Sequence, residues 1–368
     1  MNVLMVTPHL PPHQAANALL PHLLGEGLAL RGHGVRYLTF GSERDTDRVS
    51  FVRRRRGLRV TRVPQALEAL DTWRKCGALV RRSDVVHVHS NTWMNQVAAS
   101  VAVRARKPYV LTHYGTEIWH HDGSDERFRR LNARAAFVAF YSDALLKRGR
   151  ELNVPLPRGS AVIYPPVAEA FGPLTDAARR EARQGVAPDV GFLLVNVKRL
   201  HPLADHATLL EAMAGVARER KDARLLIAGS GECEAALRAQ VAALGLESAV
   251  GFLGLMPNDA VARLSAAADL FVLSSTLEAT PTVALEALAC GTPVLSTDNP
   301  GGVELQGLFG DDVAVVPKRD PAALARGILS FAASPRRTRP ETANTIAARF
   351  RLDGVLEQYL AAYRQAVA

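Results

Sequence analysis

The residues best placed for chemistry lie between Ser274 and Val294, where two glutamates bracket a helix start. Thr280 is a good N-cap and Pro281 suits a first helical position, while Gly291 and Pro293 end the same helix. That reading leaves the amides of Thr282 and Val283 free at a positive helix end, which favours a phosphate group. Glu278 sits just outside that end. Glu286 lies about five residues inside it, roughly 7–8 Å along the axis at about 1.5 Å per residue. One carboxylate can then touch a group beyond the phosphate while the other reaches back along a nucleotide. Glu286 sits within the apolar run Val283, Ala284, Leu285, Ala287, Leu288. A carboxylate in such a run needs a partner.

Other polar clusters are weaker. Gly229 and Gly231 form a tight turn after a predicted strand, but Glu234 stands where a dinucleotide fingerprint would carry a third Gly or Ala. His113 follows a predicted strand beside Gly115. His87 and His89 alternate along another, and with His113 they make no convincing metal site. Asp45-Thr46-Asp47 has the form of a metal-binding pair of carboxylates but lies in the polar loop Gly41–Arg48, in a chain otherwise unlike metal-dependent relatives of that motif. No metal is expected.

These residues need a scaffold that ends several strands at one place. Short apolar runs alternate with helical patterns throughout. In the first half the strands are Val3–Val6, Val35–Phe40, Val85–His89, Tyr109–Thr112 and Ala136–Tyr141, with helices near Ala18–Leu30 and Gln96–Arg106. In the second half, strands at Phe192–Val197, Arg224–Ala228, Val250–Leu253, Leu270–Leu273, Val294–Ser296 and Val313–Val316 alternate with helices at Thr208–Arg220, Cys233–Leu244, Asp259–Ala267 and Thr282–Ala289. The alternation predicts βαβ units and parallel sheets covered on both faces. The Pro- and Gly-rich segment from Tyr164 to Pro173 reads as a linker, and Ala333–Pro340 as a basic surface connection. The fold class is therefore α/β, with two doubly wound domains in tandem, whose ligands bind beyond the carboxyl ends of the strands.

Composition agrees. The chain has 368 residues, 48% apolar and 22% charged, with a net charge of +9, a size that suits two domains. The charge is uneven: residues 1–165 hold 25 Lys/Arg against 13 Asp/Glu, and residues 166–368 hold 20 against 23. A basic first half points to an anionic partner. The densest run is Arg53–Arg56, with Arg59 and Arg62 close by. The run reads first as a solvated loop and next as peripheral contact with an anionic membrane; nucleic acid comes last, because no aromatic residues interleave with the arginines. The three cysteines are scattered, no basic leader precedes Val3–Val6, and no apolar run reaches the roughly 18 residues of a membrane span. A cytoplasmic protein, peripheral at most to the inner membrane face, is expected.

Glu278 and Glu286, with seven residues between them, resemble the paired-glutamate signature of family 4 retaining glycosyltransferases. The resemblance extends through Asp84–Ser90, Thr112–Glu117, Arg199-Leu200, Ala228–Gly231, Ala268–Ser274 and Gly301–Glu304, and so covers nearly the whole chain. It implies a GT-B architecture: two Rossmann-like domains facing a cleft, an acceptor-binding domain at 1–165, a nucleotide-sugar domain at 170–345, and a C-terminal helical segment, 346–368, packing back on the first. It implies sugar transfer from a nucleotide-diphosphate donor, UDP- or GDP-linked, to an acceptor hydroxyl in glycan, glycolipid or natural-product synthesis, with no cofactor. By the resemblance, Glu278 binds the donor sugar near the reacting centre, Glu286 the ribose, Arg199 the diphosphate, Thr280, Thr282 and Val283 the helix-end phosphate, and Gly229, Gly231 and Leu255 surround the nucleotide, while His113 faces the donor sugar.

Two departures stand out. The family often has a Gly-Gly pair where this chain has Ala15-Ala16, and a lysine five residues after the arginine where it has Ala204. Lys198 is the candidate replacement cation and is counted with the donor-binding residues; His201 and His206 are further sources of positive charge. These departures also admit another class of protein: a catalytically impaired sugar-nucleotide-binding partner of another glycosyltransferase.

Overall fold

A computed structural model describes residues 1–13, 16–41, 43–52 and 63–368. The chain forms two compact units, residues 1–166 with 352–368, and residues 167–351.

The first unit is built on a seven-stranded sheet. Its strands are β1 (Asn2–Val6), β2 (Gly34–Phe40), β3 (Val49–Val52), β4 (Val85–His89), β5 (Tyr109–His113), β6 (Phe137–Phe140) and β7 (Ala161–Val162), in the order β3-β2-β1-β4-β5-β6-β7. All pairings are parallel. β1, β4, β5 and β6 are almost continuously buried. Covering both faces of a parallel sheet requires that, and it explains why these strands read as unbroken apolar runs.

The second unit holds β8 (Phe192–Val197), β9 (Ala223–Ala228), β10 (Val250–Gly254), β11 (Leu270–Leu273), β12 (Val294–Thr297) and β13 (Val313–Val316), ordered β10-β9-β8-β11-β12-β13 and again all parallel. The strand order reverses between β8 and β11. Connections on either side of such a point depart to opposite faces and leave a crevice beyond the strand ends. At the other end of β11, Asp269 pairs with Arg179 at 2.7 Å and Arg183 at 2.6 Å and accepts the Leu193 amide. The basic connection after residue 333 is not merely surface: Arg337 donates to the carbonyls of Ala268 (2.8 Å) and Cys290 (2.6 Å), and burial holds its guanidinium down at about 10.

The helix Leu352–Val367 belongs to the first unit. The return to that unit falls after Arg351, beyond the boundary expected at 346, because the helix Pro340–Arg349 stays with the second unit and buries Thr342 against Asp312. Arg31 fixes the last helix through Asp353 (2.7 Å) and Glu357 (2.8 Å). Its inner face carries Tyr359 and Tyr363, both wholly buried. Tyr363 meets His87 Nδ1 at 2.7 Å, His87 Nε2 meets Thr112 at 2.8 Å, and His89 Nδ1 meets Tyr114 at 2.6 Å. These histidines are therefore structural, and burial pushes His87 down to about 3 and His89 well below its ordinary value.

A histidine that is neutral in the fold but protonates when unfolded removes stability as pH falls. For His87 the window runs from about 6.5 down to about 3, at about 1.4 kcal/mol per pH unit for one group. Melting temperatures measured from pH 7 to pH 4 are expected to fall steadily, and His87→Gln, which cannot titrate there, to flatten the slope.

Candidate functional site

The site builds up from the loops after β8, β9, β11 and β12. β8 ends at Val197, so Lys198 lies past the last strand residue and is free of strict strand alternation. Its ammonium reaches Glu278 Oε1 at 2.6 Å. These residues come from the two loops that flank the strand-order reversal, so the ion pair sits in the crevice the topology creates. Both side chains are mostly sheltered from solvent.

Backbone bonds hold both loops. Leu200 N donates to Ser230 O at 3.0 Å, Cys233 N to Leu200 O at 3.0 Å, and Lys198 N to Ala228 O at 2.9 Å. This close approach explains the two glycines. A Cβ on Gly229, at φ +141°, would lie 2.0 Å from the Lys198 carbonyl oxygen, and one on Gly231 would lie 2.3 Å from that of Leu200. Their lack of a side chain thus fixes the path of the Lys198–Leu200 segment. Gly229 N also donates to Gly254 O at 2.8 Å, and Leu255, next along, projects 78% exposed.

The Glu278 loop is tied from two other directions. Thr276 N donates to Leu203 O at 2.9 Å, and Ser274 Oγ to Ala204 O at 2.7 Å. Gly301 N donates to Glu278 O at 3.1 Å, and a Cβ on Gly301 would lie 2.8 Å from the Ala279 carbonyl oxygen. Gly302 N is held by the Asn299 side chain at 2.9 Å, capping the helix Pro300–Phe309. The positioning roles of Gly301 and Asn299 were not legible in sequence. Only the three-dimensional approach of two helix starts reveals them.

The helix bearing Glu286 begins at Thr282, and its N-cap is Pro281, without a side-chain cap bond. The expected Thr280 cap and Pro281 first position are thus displaced by one residue: the chain at Pro281 is still extended, at φ −75° and ψ 91°. The consequence survives, since the amides of Thr282 and Val283 have no acceptor among the described residues. Glu286 sits four residues into the helix and has no hydrogen bond or ion pair from its carboxyl among the described residues. Burial pushes its carboxyl up to about 8.

Arg199 diverges from Lys198. Its side chain is 72% exposed and meets Glu232 at 3.2 Å, and His201 approaches the same carboxylate at 3.5 Å. Glu232 had no sequence signal beyond its place after Gly231. His206 does not replace the missing cation: it is buried against Asn196 at 2.9 Å, and burial lowers it to about 4. Ala204 is itself buried. Of the Ala15-Ala16 pair, Ala15 lies outside the described residues and Ala16 opens the first helix. Arg53–Arg56, Arg59 and Arg62 also lie outside them.

His113, in the first unit, is wholly buried between Phe128 and Phe140, with Nε2 on Asn132 at 2.8 Å. It presents no exposed atom, and its Nδ1 has no hydrogen-bond partner among the described residues. Glu117 approaches its Nδ1 at 3.7 Å and accepts the Tyr114 amide at 2.7 Å. Burial pushes the Glu117 carboxyl up, but His113 and the Tyr114 amide outweigh it and hold the carboxyl below its ordinary value. Asp45 accepts the Phe51 amide at 2.8 Å and pairs with Lys75 at 3.1 Å, which makes it a loop staple. Among the described residues no group of three metal-ligating side chains comes together, and no helix is long and apolar enough to cross a membrane.

Two parallel-sheet units with a charged crevice at a strand-order reversal define a GT-B glycosyltransferase fold. The chain belongs to the glycosyl transferases group 1, which match residues 178–348, with a glycosyl transferase 4-like domain over residues 21–165. It is 29% identical to an uncharacterized glycosyltransferase of Methanocaldococcus jannaschii over 89% of this chain and 88% of that one. It is 28% identical to the 2-deoxystreptamine N-acetyl-D-glucosaminyltransferase of Streptomyces fradiae, over 79% and 74%. Among solved structures, HepE of Anabaena in complex with UDP aligns with a TM-score of 0.77 at 20% identity, covering 98% of this chain and 99% of that one. A glycosyltransferase of Rickettsia africae aligns with a TM-score of 0.80 at 17% identity, covering 100% and 98%.

Gly229→Ala is expected to cost roughly 3 kcal/mol of stability through backbone strain and displacement of Lys198. Gly245→Ala, at φ +64° with no atom within 4 Å of the added Cβ, should cost only about 1 kcal/mol. Denaturant titration of both variants checks the difference.

Proposed function

We propose that this chain transfers a sugar from a nucleotide-diphosphate donor to an acceptor hydroxyl, with retention at the anomeric carbon and no requirement for a metal. The observation that carries the reading is the meeting of Lys198 and Glu278 beyond the ends of β8 and β11, next to the free amides of Thr282 and Val283. A diphosphate at that helix end would meet two unpaired amides, the Lys198 ammonium and, once it leaves Glu232, the Arg199 guanidinium. These groups would stabilise charge as the bond from the anomeric carbon to the phosphate oxygen breaks. The acceptor oxygen would bond to the same face of that carbon, and its proton would pass to the departing phosphate. Glu278 would hold the sugar's hydroxyls and Glu286 those of the ribose, with Leu255 and the Gly229–Gly231 turn beside the base. The UDP-bound neighbour favours a UDP-sugar, with GDP-sugars next. The acceptor would be a glycan, glycolipid or natural-product hydroxyl. Buried Ala204 favours one second reading, a nucleotide-binding partner without turnover.

Calorimetry with UDP-, GDP-, ADP- and TDP-sugars tests the proposal. One donor class should bind, and Arg199→Ala and Glu286→Ala should abolish binding. Glu278→Ala should lower turnover by roughly 100-fold or more while donor still binds. Donor binding without transfer or hydrolysis would move the second reading forward, and binding by none would remove the donor assignment.

Glu286 supplies a further check. With its carboxyl at about 8, it is protonated in the free protein at pH 7. Hydroxyls that donate to the carboxylate favour its charged form, so binding should release a proton. The calorimetric enthalpy at pH 7 should then vary with the ionisation heat of the buffer, and Glu286→Gln should remove that variation.

A further inference from the structure

The helix Val63–Arg81 buries Thr72, Cys76, Leu79 and Val80 against its own unit. Its outer face carries exposed apolar residues among charged ones such as Arg74 and Arg81. Leu67 is 43% exposed, Leu70 60% and Trp73 52%, at a spacing of three that keeps them along one side. Trp73 borders a groove of about 360 Å³ whose other walls come from the helices Trp93–Arg104 and Glu126–Ala133. Trp93, itself 39% exposed, lines it too, as do Arg104, Arg127, Arg130 and Arg134. Arg127 lies over the Trp93 ring at 5.3 Å, and Arg130 pairs with Glu126 at 3.4 Å. Arg104 and Arg134 have no carboxylate partner among the described residues.

Two partly exposed tryptophans and four arginines line one groove, and Leu67 and Leu70 are exposed on the same helix as Trp73, which is not what a solvated surface requires. Tryptophan and arginine together match the boundary between headgroups and acyl chains, where a ring sits at headgroup level and a guanidinium meets phosphate. We propose that this face docks on an anionic lipid bilayer. Charge selects the occupant. Residues 1–165 carry 25 Lys/Arg against 13 Asp/Glu, and the sequence leading into the helix, residues 53–62, holds six arginines. Like charge opposes a second copy of this chain, whereas an anionic leaflet gains from each arginine near its surface. The groove is distinct from the loops around Lys198 and Glu278, so the proposal stands apart from the transfer reaction.

The test is co-sedimentation of the full chain with phosphatidylcholine vesicles, with and without about one-quarter phosphatidylglycerol, at about 0.1 M salt. Binding should require the anionic lipid. Leu70→Gln with Trp73→Gln, and separately Arg104→Gln with Arg134→Gln, should each weaken it tenfold or more, at roughly fivefold per arginine, with melting temperatures unchanged. Brominated lipids should quench the tryptophan fluorescence of the wild type. Quenching should vanish in Trp73→Phe with Trp93→Phe, which leaves Trp119 as the sole tryptophan. Equal binding to neutral vesicles, unaltered binding by both variant pairs, or quenching that persists without Trp73 and Trp93 would overturn the proposal. So would displacement by free glycerophosphate, which would reassign the arginines to a soluble anion, or self-association lost in the Leu70/Trp73 variant, which would assign the face to a second copy.

Discussion

The candidate site depends on how closely two backbone segments pass. Gly229 and Gly231 bring the turn after β9 against the carbonyls of Lys198 and Leu200, at separations no Cβ could occupy. That contact directs the chain after β8, and the direction of that chain decides where Lys198 and Arg199 go. Lys198 turns toward Glu278 and Arg199 toward Glu232, so adjacent cations serve different partners. The second fixed segment is the Glu278 loop, pinned through Gly301 and Thr276. Backbone geometry therefore holds the charges in place, and the ion pair itself need not supply the rigidity.

Charge is handled differently in the two units. In the first, polar groups under the last helix are neutral and mutually satisfied: His87, Thr112, Tyr359 and Tyr363 form one buried cluster. Such a network fixes how a helix docks, because removing one member strands another without a partner. In the second, Glu286, half-buried in a largely apolar helix, has no partner for its carboxyl among the described residues, and desolvation raises it. A sheltered carboxyl without a partner costs stability. It is tolerable where a ligand can satisfy it, which is the expected behaviour of a binding residue held in its unliganded form.

Much of this was legible in sequence. Parallel strands buried on both faces leave unbroken apolar runs, so β1, β4, β5, β8, β9 and β11 stand out, and the alternation with helices gives the fold. The helix start between Glu278 and Glu286 was also legible, apart from a one-residue shift in the cap. The short edge strand β3 and the helices Glu126–Ala133 and Asp143–Glu151 were missed, since short amphipathic segments rich in arginine resemble solvated loops. The burial of His113 was not legible for another reason: a histidine next to a glycine at a strand end looks exposed, and only the packing of Phe128, Phe140 and Asn132 shows it enclosed.

The exchange of a lysine for Ala204 also becomes intelligible. Residue 204 ends a short helical turn, Pro202–Ala204, whose carbonyls accept from Ser274 and Thr276 in the loop that carries Glu278. A small, buried side chain there suits a joint between the loops of β8 and β11. A charged side chain at that position would have to leave the joint or open it. Lys198, one residue past β8, delivers its ammonium to Glu278 without crossing the joint. Lys198 thus places a cation at the strand-order reversal, where the buried position 204 supplies none.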